Sequence, residues 1–312
     1  MLHIKMCSII IKNSNKKIGK FMGNRTKEYR QYFLFLSPAM IILLFIYANS
    51  IVRIVWYSVI KWKSFTPLQE VSYENFYKVF TYPHFLEILK NNFIIIIVTI
   101  PVVVIFALFC AQFLYFRVFG YRIYRYLFFL PVILPNVVAA IIWSFILHEF
   151  GVVNTIFQKI GLEVLTVNWF GNPKWAIYGL ILTIIWKDVG FAIILFLAKL
   201  SMVDPQLYDA AKVDGANEIQ TIKFITIPQI LSVIVLYIIL ELIGLLNFIF
   251  GYVFVMTRGG PGYSTTPLEF LTYLFAFRLH KFGMANASAV ILFVITLILV
   301  LIYFNSSRKK EV

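Results

Sequence analysis

Phe93-Ile-Ile-Ile-Ile-Val-Thr-Ile-Pro101-Val-Val-Val-Ile-Phe-Ala-Leu-Phe-Cys110-Ala-Gln-Phe-Leu114 carries no formal charge over its whole length. Wound as a helix at about 1.5 Å per residue, it is long enough to cross a hydrocarbon core about 30 Å thick. Five further apolar runs of comparable length surround it: Phe33–Val52, Tyr126–Leu147, Ala176–Ala198, Ile230–Val255 and Ala285–Phe304. The expected fold is all-α, a polytopic membrane protein with six transmembrane helices. The last run is also free of charge, while others hold proline, glycine or a lone ionisable residue. Such interruptions mark helices that pack on other helices or line a cavity.

Composition agrees. Of 312 residues, 61% are hydrophobic and only 13% charged, whereas a soluble domain has about 45–50% and 25%. A soluble enzyme, a disordered chain and a collagen-like chain are excluded. The two cysteines, Cys7 and Cys110, cannot build a disulfide framework. A net charge of +14 would suit a nucleic-acid partner, but the basic residues punctuate the apolar runs instead of clustering on one face. No nucleic-acid partner is expected.

The spacing of the basic residues sets an orientation. The N-terminus, the 115–125 and 199–229 connections and the C-terminus hold 17 Lys and Arg, against 10 in the alternate loops. Lys and Arg accumulate on the cytoplasmic side, so both termini are expected there, with Arg308-Lys309-Lys310 as a strong marker. Residues 1–32 read as a basic cytoplasmic arm. Met6–Ile11 is too short for the apolar core of a signal peptide. The arm either lies on the anionic membrane surface or only sets topology. Residues 33–87 form the first transmembrane helix and an external loop, 88–305 a transmembrane core, and 306–312 a cytoplasmic tail.

The 199–229 connection is too structured for a linker. It contains Asp204-Pro205-Gln-Leu-Tyr-Asp209-Ala-Ala-Lys-Val-Asp214-Gly215-Ala216. Asp204 suits an N-cap, Pro205 a first helical position and Gly215 a left-handed terminator. A second short helix is expected from Asn217, ended by Pro228 before the fifth run. The hairpin either packs on lipid headgroups or inserts into a groove on another protein. The small residues Ala210, Ala211, Gly215 and Ala216 favour close approach of a partner.

Asp209-Ala-Ala-x-x-Asp-Gly-Ala216, followed by Ile225-Thr-Ile-Pro228, resembles the EAA loop of binding-protein-dependent ABC importer permeases, with Asp209 where the family usually has Glu. Ser37-Pro38-Ala39, Glu74-Asn75-Phe76, Arg125-Tyr-Leu-Phe-Phe-Leu-Pro131, Trp143, Gly151-Val-Val-Asn154, Asn168-Trp169, Trp186 and Gly190-Phe191 resemble the carbohydrate branch in order and spacing. Phe282-Gly-Met-Ala-Asn-Ala287 resembles the entry to its last helix, and Thr257-Arg-Gly-Gly-Pro-Gly262 with Ser264-Thr265 the external loop of the maltose-type first subunit, so the chain resembles a maltose- and glycerol-3-phosphate-type first permease subunit. Pro131 and Pro135 have a simpler reading as kinks, Trp143 and Trp169 as interface anchors, and Gly259–Gly262 as a turn. The resemblance implies a type I ABC importer permease at the bacterial plasma membrane. It makes Asp209, Ala210, Ala211, Asp214, Gly215, Ala216 and Pro228 the loop that docks on an ATPase subunit. Its implied partners are a second permease in a heterodimer, an ATPase dimer, an extracellular solute-binding protein and a sugar or oligosaccharide.

No phosphate-cradling Gly-rich loop with Lys-Ser/Thr occurs; Gly19-Lys20 is followed by Phe21. No catalytic residue, metal site or cofactor is expected in this chain, and ATP with Mg belongs to the partner ATPase. Two carboxylates fall inside apolar runs. Asp188 shares a helical face with Ile184 and Phe191, and Glu241 with Leu245 and Phe248. In the family, these helix mid-portions line the substrate path. Asp188, Phe191, Glu241, Leu245 and Phe248 are therefore the expected path residues, the carboxylates accepting from hydroxyls and the rings stacking on a sugar face. The alternative is an internal pair of Lys187 with Glu241 or Asp188. Two carboxylates disfavour an anion; a neutral saccharide is the first choice and a cation the second. An ion-gradient-driven secondary transporter is the competing function, but it leaves the 199–229 hairpin unexplained.

Overall fold

A computed structural model describes residues 32–63, 65–116 and 119–308. The basic arm up to residue 31, and Lys309-Lys310 of the C-terminal end, lie outside them. The first apolar run forms helix α1, Tyr32–Ser58, which through Trp56 belongs to a unit of its own. Within it Arg53 Nε donates to Asn49 Oδ1 at 3.1 Å.

The second unit, from Tyr57 onward, opens with an antiparallel hairpin, β1 (Ile60–Lys63) and β2 (Thr66–Val71), that the sequence reading did not foresee. Helix α2 (Glu74–Phe80) precedes α3, Phe85–Tyr115, which contains the charge-free run. α3 packs most extensively on α7, Pro173–Leu200. Asn172 caps α7 by accepting from Lys174 N–H, with Pro173 at the first helical position. Small residues set the spacing of neighbours: a Cβ on Gly190 would fall on the backbone carbonyl of Phe128 in α4.

Two of the six expected spans are interrupted. The third divides into α4 (Tyr121–Ile133) and α5 (Asn136–Ile146), bent by 106°. The cause is Pro135. Its ring drives Leu134 into extended backbone, φ −68° and ψ 137°, and ends the helix there. Pro131 is accommodated inside α4. Among the described residues, five helices are thus long and apolar enough to cross a membrane, or six if the bent pair counts as one span. The fifth run divides into α10 (Ile227–Asn247) and α11 (Phe250–Met256) at Phe248 and Ile249, with no proline or glycine at the break.

Where a stop was expected, the helix continues. α9 (Glu218–Thr221) runs through a π-helical turn, Ile222–Thr226, into α10, giving one helix from Glu218 to Asn247. Pro228 has no N–H to donate and would crowd the carbonyl four residues earlier; the wider π turn accommodates both.

α8 (Pro205–Val213), α6 (Val152–Lys159), α12 (Leu268–Tyr273), a second π turn at Leu274–Arg278 and α13 (Phe282–Arg308) complete the unit. Three apolar clusters run along it. Phe196, Tyr208 and Tyr237 centre the first, Ile184, Leu245 and Tyr252 the second, and Phe275, Leu271 and Ala287 the third.

Candidate functional site

The interrupted spans meet at a cavity of about 220 Å³. Asp188 and Phe191 reach it from α7, Glu241 and Leu245 from α10, and Phe248 from the break itself. All five residues selected from the sequence line this one space. Ile184, assigned to the same face, is fully buried in the second apolar cluster instead. Helical spacing explains the convergence on each element: residues three and four apart share a face. That the two faces meet is a tertiary fact.

The cavity has further polar walls. Asn136, the first residue of α5, and Tyr252, in α11, also line it. Neither was selected from the sequence. Asn136 carried a signal, as an amide inside an apolar run directly after Pro135. Tyr252 carried none, because its position follows from the break before it.

Glu241 is 8% exposed and accepts a hydrogen bond from Tyr237 Oη at 2.9 Å through Oε2. Its Oε1 and the Tyr252 hydroxyl are buried with no partner among the described residues. Unpaired buried polar atoms cost about 1–3 kcal/mol each, and a polar occupant offering hydrogen bonds would relieve that. Lys187 is also 8% exposed, but it joins neither carboxylate in an ion pair among the described residues. Its Nζ donates to the Val132 carbonyl at 3.3 Å. Val132 lies in the last turn of α4, where carbonyls lack helical partners and a cation is favoured. The break at Pro135 therefore explains where the ammonium donates its hydrogen bond.

The second candidate region is α8. Asp204 Oδ1 accepts from Gln206 N–H at 3.0 Å, Pro205 follows, and Gly215 has φ +74°. Asn217 and Gln220 form a reciprocal capping box at the next helix. Tyr208 anchors α8: it is buried, packs on the Tyr115 and Phe116 rings at 5.5 and 5.8 Å, and its hydroxyl lies 3.3 Å from Thr226 Oγ1. Burial raises its phenol pKa above the ordinary value. Asp209, Ala210, Asp214 and Gly215 are exposed, and Ala216 is half-buried. Ala211 is buried against the chain itself, so it belongs to the anchored face. Pro228 is exposed, inside the continuous helix. Clefts of about 680 and 490 Å³ flank α8; Tyr208 and Lys212 line both.

At the opposite end, Thr257–Gly262 forms a turn with Arg258 and Gly259 at positive φ. Thr265 Oγ1 donates to Thr257 Oγ1 and lies 2.9 Å from the Gly260 carbonyl, while Thr266 Oγ1 donates to the Gly259 carbonyl. Trp143 packs edge-on against Trp186 at 5.7 Å.

Residues 103–312 match the family described as the binding-protein-dependent transport system inner membrane component. The probable ABC transporter permease protein YurN of Bacillus subtilis is 32% identical over 285 residues, covering 89% of this chain and 97% of that protein. The sulfoquinovosyl glycerol transport system permease protein SmoG of Agrobacterium fabrum is 32% identical over 281 residues, covering 89% and 90%. A chain of a bacterial ABC transporter involved in import of the acidic polysaccharide alginate superposes with a TM-score of 0.75 at 23% identity, over 93% of this chain and 99% of that one. The chain belongs to the family of inner-membrane permease components of binding-protein-dependent ABC importers.

Proposed function

We propose that this permease carries a sugar or oligosaccharide, and that the Asp188–Glu241 cavity is part of its path. ATP hydrolysis resides in a separate subunit of the importer. The observation that carries the reading is the pair of buried, unpartnered polar atoms, Glu241 Oε1 and Tyr252 Oη, in the same cavity as Phe191 and Phe248. A hydroxyl-rich solute would donate to the carboxylates while its apolar ring face stacks on the aromatic rings. Relatives named for the transport of lactose, LacF of Rhizobium radiobacter, and for multiple sugar binding, MsmF of Streptococcus mutans, support a carbohydrate. The volume of about 220 Å³ is below the roughly 300–1,000 Å³ of a complete small-molecule site. That fits a path shared with a second permease in a heterodimer.

The exposed face of α8, with Asp209, Ala210, Asp214 and Gly215, would dock in a groove of the ATPase dimer that uses ATP and Mg. Ala216 and Pro228 would set the angle at which the hairpin leaves the core. Both termini would then be cytoplasmic, and the 257–267 loop would face a solute-loaded extracellular binding protein.

The test is uptake by the complex reconstituted in liposomes with its binding protein. Glu241→Gln keeps the shape but removes one acceptor and the charge. We expect weaker uptake of the transported sugar, by roughly tenfold for a loss of about 1.4 kcal/mol, with unchanged co-purification of the ATPase. Unaltered uptake kinetics would overturn the assignment of the cavity.

A further inference from the structure

Two helix breaks border the cavity, and one side chain bridges them. Asn136 directly follows Pro135 and is the first residue of α5. Its Nδ2 donates to the Phe248 carbonyl at 3.3 Å. Phe248 ends α10 with φ −131° and ψ 14°, at the point where helical carbonyls run out of main-chain partners and need a donor from elsewhere. Phe248 is 66% exposed, so its ring is placed by its backbone more than by packing.

Packing extends the bridge. α11 packs chiefly on α5. A Cβ on Gly251 would lie 3.3 Å from Val137 Cγ2 and 3.8 Å from Asn136 Cβ, so the glycine lets the two helices meet beside the amide. The segments that follow the two breaks, α5 and α11, thus rest on each other, while α4 and α10 each pack on α7. Asn136 and Phe248 line the same cavity as Glu241 and Tyr252.

We propose that Asn136 is a positioning residue: through its hydrogen bond to the Phe248 carbonyl it ties the bend of the third span to the break of the fifth and sets where the Phe248 ring stands in the cavity. The inference rests on the reading of the cavity as the solute path. A neutral amide suits this task. It donates to the carbonyl without placing a cation where Asp188 and Glu241 would compete for it. Removing the donor releases the Phe248 backbone, which loosens the hold on the solute and leaves α8 untouched.

The experiment uses the full transporter complex, purified through a tag on this chain and reconstituted in liposomes with saturating solute-loaded binding protein. The probe is whichever sugar of a radiolabelled mono- and disaccharide panel the wild type accumulates. The quantity read is sugar imported per ATP hydrolysed. Asn136→Leu, similar in volume but without a donor, is expected to lower that ratio by roughly fivefold, the weight of one neutral hydrogen bond, with ATPase activity near wild type. A merely structural loss would lower import and ATPase activity together. Asn136→Gln, which keeps an amide donor, is expected to recover most of the ratio. Phe248→Ala is expected to lower the ratio by itself, and adding Asn136→Leu to it should lower it no further, because both act on one ring. A second readout needs no solute. The rate at which Phe248→Cys, in a Cys7→Ser/Cys110→Ser background, reacts with a small thiol reagent, read from the mass of this chain, should change with Asn136→Leu and return with Asn136→Gln. If Asn136→Leu does not assemble, Asn136→Ala replaces it. An unchanged thiol rate, equal damage by Asn136→Leu and Asn136→Gln, effects that multiply fully in the double variant, or failure of both Asn136→Leu and Asn136→Ala to assemble would each overturn the proposal. So would an unchanged ratio in Asn136→Leu where Phe248→Ala lowers it. Unaltered import by Phe248→Ala would instead overturn the reading of the cavity, and a wild type that accumulates no sugar the carbohydrate reading; in either case the thiol rate decides this proposal.

Discussion

Gly190 and Lys187 show how single positions are decided by what faces them. A methyl at Gly190 would meet the Phe128 carbonyl and lie 2.6 Å from Val132 Cγ2, and backbone does not yield cheaply. Overpacking costs about 1–3 kcal/mol, and more against main chain. Gly190→Ala should lower the thermal midpoint of the detergent-solubilised complex by several degrees, read by intrinsic fluorescence; an unchanged midpoint would show that α4 and α7 separate freely. Lys187, three residues away, looked in sequence like the counter-charge of Asp188 or Glu241. Its hydrogen bond goes to the end of α4, because the bend at Pro135 leaves the Val132 carbonyl within its reach. Asp188, Phe191, Glu241 and Leu245 were grouped by helical spacing, the family resemblance pointed to their helix mid-portions, and Phe248 joins them from the break after Asn247. Tyr252 was not legible, because a break without proline or glycine reorients it.

The element with the most local information is α8. Its cap, first-position proline and left-handed terminator all lie within a dozen residues, and each forms as expected. Gly215 occupies φ +74° with open space around its Cα, so a substitution there acts through backbone strain and not through a clash. Gly215→Val should cost about 1–2 kcal/mol in that conformation, enough to change the population of the correct hairpin by roughly 5- to 30-fold. The expected outcome is loss of ATPase activity co-purifying with this chain while membrane insertion persists. Retained ATPase activity at wild-type stoichiometry would count against docking through α8. The Pro228 reading failed for an equally local reason. The π turn at Ile222–Thr226 absorbs the proline, and the π turn cannot be read from apolar spacing. The hairpin of β1 and β2 was likewise missed; the start of its first strand is held by Asn75, whose Nδ2 donates to the Ser58 and Ile60 carbonyls.

For the whole molecule, the excess of Lys and Arg on alternate connections predicts a single orientation. Cysteines placed singly in a Cys7→Ser/Cys110→Ser background at Val213, in α8, and at Val164, in the 148–175 connection, both exposed, should react from opposite sides of the membrane. An impermeant maleimide on intact cells should label the second without lysis and the first only after it. Labelling of both from outside would overturn the orientation and the docking of α8 with it. What the sequence determined alone was the class of molecule: long uncharged runs have one stable environment, and backbone groups in lipid must be paired within a helix. It also determined the caps and turns of the 204–217 stretch, since those interactions span a few residues. The tertiary structure alone decided that α4 and α5 diverge by 106° and that α10 stops at Asn247. It also decided that the two breaks meet around Glu241. The physical reason is that these features depend on partners far away in the chain, such as Asn136 for the Phe248 carbonyl and Lys187 for the Val132 carbonyl, which no local pattern of apolar residues encodes.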